Sequence, residues 1–147
     1  MVESGDNMFM GEYHHNLDEK GRIVIPSKFR NLLGSDFIIT KGIEKCLYVY
    51  SADAWQEIVN KLKTLSFTKK DTRAMMRSFF ANAISGVTDK QGRVMISSSL
   101  INYANLSLEC VVIGVNDHAE IWNAKDYTDE MHKTEEHLED ITENLLE

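Results

Sequence analysis

Several things are scarce or missing in this chain, and each absence removes a class of function. There is one proline and there are two cysteines in 147 residues. Cys46 and Cys110 form neither a CxxC pair nor a disulfide framework, which points to free thiols in a reducing compartment. No apolar run approaches the roughly 18–20 residues that span a bilayer, so a membrane helix is excluded. Met1 to Asn7 has no basic stretch and no apolar core, so no secretion signal is read there and a cytoplasmic location is expected. His14, His15, His118, His132 and His137 make no HExxH and have no paired cysteines beside them, so no metal site is expected. Gly42 and Gly114 are isolated turn glycines and not parts of a phosphate-cradling loop. Ser66-Phe67-Thr68-Lys69 fits SxxK, but the chain is too short for that penicillin-binding fold and lacks its partner motifs. The expectation is a protein with no catalytic residues, no cofactor and no small-molecule substrate.

The 43% apolar and 27% charged residues are those of an ordinary globular protein. The net charge of −7 argues at first against a nucleic-acid partner, but its distribution reverses that. Residues 129–147 hold eight acids against Lys133 alone and therefore account for the whole −7. Between Lys61 and Arg93 there are eight bases against Asp71 and Asp89, a local +6. The chain is bipolar. Its basic part can meet phosphates while its acidic tail points elsewhere, although charge alone favours a merely solvated face.

The most informative feature is an internal repeat. Leu17-Asp18-Glu19-Lys20-Gly21-Arg22-Ile23-Val24-Ile25 is echoed by Thr88-Asp89-Lys90-Gln91-Gly92-Arg93-Val94-Met95-Ile96, 71 residues on. Three fixed polar or glycine matches recur by chance at only about one position in several thousand. Ile39 to Gly42 then matches Val111 to Gly114, and Tyr48-Val49-Tyr50 matches Glu120-Ile121-Trp122, at an offset of 72. One single-residue indel between Arg30 and Phe37 reconciles the offsets. The chain is a tandem duplication of a unit of about 45 residues. A β-rich unit that small holds little core of its own, so two units are expected to pair about a pseudo-two-fold axis.

Local signals give the elements. Glu12 to Leu17 alternates as a half-buried strand with Tyr13, His15 and Leu17 on one face. Asp18 and Gly21 bracket a turn, and Arg22 to Ile25 resumes as a β-branched strand, which places the motif at a hairpin tip. Pro26 opens a short helix to Leu33. Phe37–Thr40 and Cys46–Tyr50 read as a second hairpin, followed by a helix capped by Ser51. Thr68 and Asp71 mark the start of a central helix to about Ala83. Tyr127, Met131, Thr134, Leu138, Ile141 and Leu145 are spaced as a narrow heptad-like seam, predicting one helix over 124–146. That seam fits packing on the chain's own body or a subunit contact.

At each tip, Asp can accept backbone N–H groups across its own turn and pair with the arginine four residues on. Gly21 and Gly92 permit the reversal. Arg22 and Arg93 can fork onto guanine or clamp a phosphate, with Lys20 and Lys90 beside them as point charges. The residues alone leave open whether Asp18–Arg22 and Asp89–Arg93 are structural pairs or a presented binding surface.

The run Met8-Phe9-Met10-Gly11-Glu12-Tyr13 with Leu17 to Arg30, then Leu65 to Arg73, Asp89 to Arg93, Val111 to Val115 and Glu120-Ile121-Trp122 closely resembles the MraZ family. Thr88 and Ser97 depart from it, where members often have Leu and Pro. The resemblance implies an α+β fold built from a tandem pair of AbrB-like swapped-hairpin units, a pseudo-two-fold β core with flanking helices. It divides the chain into an extension (1–7), a first repeat with its helix (8–63), a central helical connector (64–86), a second repeat (87–123) and an acidic helix (124–147). It further implies a nucleoid-associated bacterial transcriptional regulator. Such a protein binds double-stranded DNA at promoter direct repeats of the division and cell-wall gene cluster, its own promoter included, as a ring-shaped homo-oligomer. The matching DxxxR motifs are Asp18–Arg22 and Asp89–Arg93. The competing expectation is a swapped-hairpin protein-interaction module, antitoxin-like or scaffold.

Overall fold

The computed structural model describes residues 8–147; Met1–Asn7, read above as an extension, lie outside the described residues. The first repeat runs β1 (Glu12–Asn16), β2 (Arg22–Val24), α1 (Ser27–Leu33), β3 (Phe37–Lys41), β4 (Leu47–Ser51), α2 (Ala52–Leu62). After α3 (Lys70–Ala81), the second runs β5 (Ile84–Gly86), β6 (Arg93–Met95), α4 (Ser98–Tyr103), β7 (Glu109–Val115), β8 (His118–Asn123), α5 (Ala124–Glu135). A last helix, α6, spans Leu138–Leu146. Element for element, the second half copies the first.

The strands form an antiparallel six-stranded sheet in the order β1-β7-β8-β4-β3-β5 and a separate two-stranded ribbon of β2 and β6. Exchanging each strand for its repeat counterpart reverses the order of the sheet and leaves it otherwise unchanged. In the ribbon, Ile23 lies opposite Val94; in the β4–β8 ladder, Tyr48 lies opposite Glu120. Both are pairs of repeat-equivalent residues, so a pseudo-two-fold axis passes through those two points. The fold is α+β, with two swapped units sharing one core.

The repeat also fixes the helix ends. Gly34 and Asn105, equivalent at an offset of 71, both take positive φ (75° and 54°) after α1 and α4. The indel therefore falls between these residues and strands β3 and β7. Ser51 Oγ accepts from Ala54 N–H at the start of α2, and Asn123, its counterpart, accepts from Asp126 N–H at the start of α5. Where the first repeat has Pro26, Ser97 accepts from Leu100 N–H, so the departure at Ser97 keeps a capped helix.

Three local expectations are corrected. β1 and β2 do not form a hairpin ladder: β1 joins β7 over five residues and β2 joins β6, so the Asp18 turn is a corner between two sheets. Each strand gains a longer ladder, and a buried face, from the other repeat than from its own neighbour. The central helix starts at Lys70 with Lys69 as N-cap and no side-chain cap bond, so Thr68 does not cap it. The chain also turns into β5 at Ile84. The C-terminal helix is broken at Glu136–His137, where His137 has φ −121° and ψ 6°. Glu135 with Glu139 and Glu136 with Asp140 are like-charged pairs at helical i,i+4 spacing, each opposing a continuous helix by a few tenths of a kcal/mol.

The core lies between the inner face of the sheet, the ribbon and the two short helices. Ile23, Ile25, Phe29, Ile39, Leu47, Val49, Val94, Leu100, Val112 and Ile121 are all buried there. Phe29 on α1 sits against the rings of Phe9 and Tyr13, with centroids 5.2 and 5.3 Å away. α2 and α3 cover part of the outer sheet face, Trp55 stacking on Phe79 at 5.1 Å. Among the described residues no helix is long and apolar enough to cross a membrane. Phe29→Ala is expected to cost about 3–5 kcal/mol in urea unfolding. Ser78→Ala, on the exposed side of α3, should change stability by no more than about 0.5 kcal/mol. Similar losses in both variants would contradict this placement of the core.

Candidate nucleic-acid interface

Each tip is held by one carboxylate. Asp18 Oδ1 accepts the backbone N–H groups of Lys20 and Arg22, both at 2.9 Å, and Oδ2 accepts Arg22 Nε at 2.7 Å. Asp89 repeats this atom for atom, taking Gln91 N, Arg93 N and Arg93 Nε, all at 2.9 Å. Gly21 N–H donates to Asp18 C=O, and Gly92 N–H to Asp89 C=O. Both glycines have φ near +80°, a conformation that an L side chain resists. The hydrogen bonds from Arg22 and from Arg93 hold the carboxyls of Asp18 and Asp89 below the usual carboxylate range. The arginines pair through Nε, which leaves their Nη groups without a hydrogen-bonded protein acceptor among the described residues.

The two tips are one construction. Ile25 N–H donates to Gly92 C=O and Ile96 N–H to Gly21 C=O, so each turn closes against the strand of the other repeat. Arg93 Nη1 also lies 3.9 Å from Asp18 Oδ2. Ile23 and Val94 point into the core, and strand alternation therefore places Arg22, Val24, Arg93 and Met95 together on the opposite face of the ribbon. Arg22 and Arg93 remain about a quarter exposed. Lys20 and Lys90 are exposed on the flanking turns, and neither forms an ion pair among the described residues. All eight motif residues named from the sequence are thus brought to one side of the molecule.

The repeat's echo hides a difference. Lys20 corresponds to Gln91, and Lys90 to Glu19, so the first tip carries Asp18, Glu19, Lys20 and Arg22, a net zero, and the second Asp89, Lys90 and Arg93, a net +1. Beneath the tips the asymmetry deepens. A Cβ on Gly21 would fall 3.2 Å from Ile101 Cδ1, whereas one on Gly92 would fall 2.7 Å from the guanidinium carbon of Arg30. Arg30 Nη1 donates to Ile25 C=O at 2.6 Å. Arg30 and Ile101 are repeat-equivalent, each reaching from its short helix under the tip of the other repeat. Sequence reasoning missed Arg30; the signal was a cation in one repeat where the other has an aliphatic residue.

Among the described residues no three His, Cys, Asp or Glu side chains are placed to hold a metal. Cys46 and Cys110 are buried and free, and burial pushes both thiols up, away from the reactive thiolate. His118 hydrogen-bonds Asp117 and Glu120 on the outer sheet face; burial opposes its charge, but these partners outweigh it and raise its pKa.

Because the carboxyls of Asp18 and Asp89 are depressed, their contribution to stability is complete above the ordinary value of about 3.9 and is lost as pH falls through their lower folded values. Urea unfolding from neutral to about pH 2 should show that loss in the native chain and a weaker one in Asp18→Asn/Asp89→Asn. A second expectation concerns the packing under the tips. Gly21→Ala and Gly92→Ala should each cost about 1–2 kcal/mol from positive φ. Gly92→Ala should also be non-additive with Arg30→Ala in a double-mutant cycle, while Gly21→Ala is additive with it.

Comparison with known families divides the chain into two matches that meet inside α3. Residues 8–78 and 79–147 each match the family model described as MraZ protein, with an antitoxin-like label. The family is of regulator type, and its two matches cover all but the first seven residues. With one copy of the family unit in each half and a DxxxR tip in each copy, this chain belongs to the MraZ family.

Proposed function

We propose that the chain is a sequence-specific regulator of transcription that binds double-stranded DNA through its paired tips. The observation that carries this reading is the shared face of the β2–β6 ribbon. Arg22 and Arg93 stand on it on either side of the pseudo-two-fold axis, each fixed through Nε; among the described residues neither hydrogen-bonds a protein acceptor through Nη, and Arg93 Nη1 lies 3.9 Å from Asp18 Oδ2. A two-stranded ribbon fits the major groove, and a guanidinium fixed at one nitrogen can still address guanine O6 and N7 or a phosphate. Lys20 and Lys90, exposed on the flanking turns and in no ion pair among the described residues, add two cations beside that face.

Four cations per chain, Lys20, Arg22, Lys90 and Arg93, give weak binding at physiological salt, with a slope of about −0.9 per phosphate neutralised. Linked copies meeting direct repeats about one helical turn apart gain avidity without new contact chemistry. That supports action as a homo-oligomer, a ring in the form the family resemblance implies, on promoters of division and cell-wall genes including its own, in the nucleoid. A second reading, a module whose main partner is another protein, is favoured by the antitoxin-like label and by the apolar side chains that α6 exposes.

Fluorescence anisotropy with the gene's own upstream duplex and a scrambled duplex, at two salt concentrations, separates the readings. Native protein should prefer the upstream duplex and lose affinity steeply with salt. Arg22→Ala and Arg93→Ala should each weaken specific binding about 10–100-fold, the 1–3 kcal/mol of one bidentate base contact. Equal, weak binding of both duplexes by all three proteins would refute the DNA reading and favour the protein partner.

A further inference from the structure

We infer that the acidic helix α6 of one chain docks on the outward face of the basic helix α3 of a second copy. The inference names a contact for the assembly proposed above; it does not depend on what the tips read.

Every residue of α6 is exposed, including Leu138, Ile141, Leu145 and Leu146. The first three recur at i, i+3, i+7 and form an apolar stripe. A nine-residue helix is too short to hold itself together in water, so this one needs a packing partner. From Glu135 to the end, the chain carries six acids and no lysine or arginine.

The matching surface is on the same chain. Thr72, Met76 and Phe79 turn α3 toward the sheet, leaving Lys70, Arg73 and Arg77 on its outward side and Phe80 on its flank, edge-on to Trp55 at 5.5 Å. From Lys61 to Arg77 there are six bases against Asp71. The segment also exposes Leu65, Phe67, Met75 and Phe80, Phe67 at 76%. Arg73 pins the loop that carries Phe67, donating to the carbonyls of Phe67 and Thr68. The 12-residue α3 is about 18 Å long and accommodates the about 13 Å of α6.

Charge decides between occupants. Pairing α6 with α6 sets −3 against −3, and pairing α3 with α3 sets +2 against +2, whereas α6 on α3 opposes −3 with +2 and brings together apolar side chains that both segments expose. DNA would satisfy the cations of α3 but would leave Phe67 in the preceding loop, the exposed edge of Phe80 and the stripe of α6 uncovered. Because the two surfaces differ, the contact is heterologous and passes from chain to chain, closing as a ring or running on as a filament.

Sedimentation velocity of the full chain tests this with two charge-reversed variants, Lys70→Glu/Arg77→Glu and Glu139→Lys/Glu143→Lys. Arg73 is left intact because it holds the loop. Native protein should sediment as a multi-subunit species, and each variant alone should need at least about tenfold more protein to assemble, the scale of one or two lost charge pairs. Mixing the two variants should restore the large species, because each then offers the charge that the other requires; a folding defect cannot be rescued in this way. The inference fails if the native chain sediments as a single subunit, if either variant assembles like the native chain, or if the mixture does not recover. Lower DNA affinity of the α3 variant with unchanged mass would assign the basic face to nucleic acid and also overturn it. Anisotropy on a short duplex, with and without Arg22→Ala, reports the tip reading independently of every one of these outcomes.

Discussion

Everything in this molecule depends on the exchange of strands between its halves. A unit of about 45 residues cannot enclose a core, and neither repeat attempts to. β1 leaves its own repeat to extend the sheet beside β7, and β5 does the same beside β3. β2 and β6, left with only each other, form the ribbon that closes the core from the other side. The corner between β1 and β2 is thus a consequence of core formation. It must turn sharply, within a few residues, because its two arms belong to different sheets.

That demand explains the DxxxR pattern as a structural element before any ligand is considered. One aspartate satisfies two backbone N–H groups and orients the arginine that follows, while glycine takes the positive φ. The same bonds that fix the corner fix the guanidinium. Structural need and presentation to a partner are therefore not competing accounts of these residues, since a single set of hydrogen bonds does both. What differs between the corners is what lies below them: aliphatic Ile101 under one, cationic Arg30 under the other.

Much of this was legible in the chain. The duplication, the indel, the caps at Ser51 and the alternation of β1 follow from spacing and local chemistry, which act over a few residues. The motif residues were legible too, because Asp, Gly and Arg at fixed spacing have few other joint uses. The rest was set by partners distant in sequence. Whether Tyr13 faces β2 or β7 is decided by which pairing buries more apolar surface, and no local signal carries that. Arg30 escaped notice for the same reason, as its neighbour Gly92 lies in the other repeat. Apolar periodicity runs straight through His137, and only the repulsion among Glu135, Glu136, Glu139 and Asp140 signals the break there.

A dimer of two identical units looks the same from either end, and a partner approaching it meets no front or back. Here the axis through Ile23–Val94 and Tyr48–Glu120 relates chemically unlike corners, so the body has two-fold shape with one-way polarity. Fusing the halves into one chain is what permits this, because each corner then changes without altering its counterpart. A symmetric reader suits an inverted repeat. Under the DNA-binding role proposed above, a body with a direction would be laid in the same sense along successive copies of a direct repeat, its more basic corner always leading.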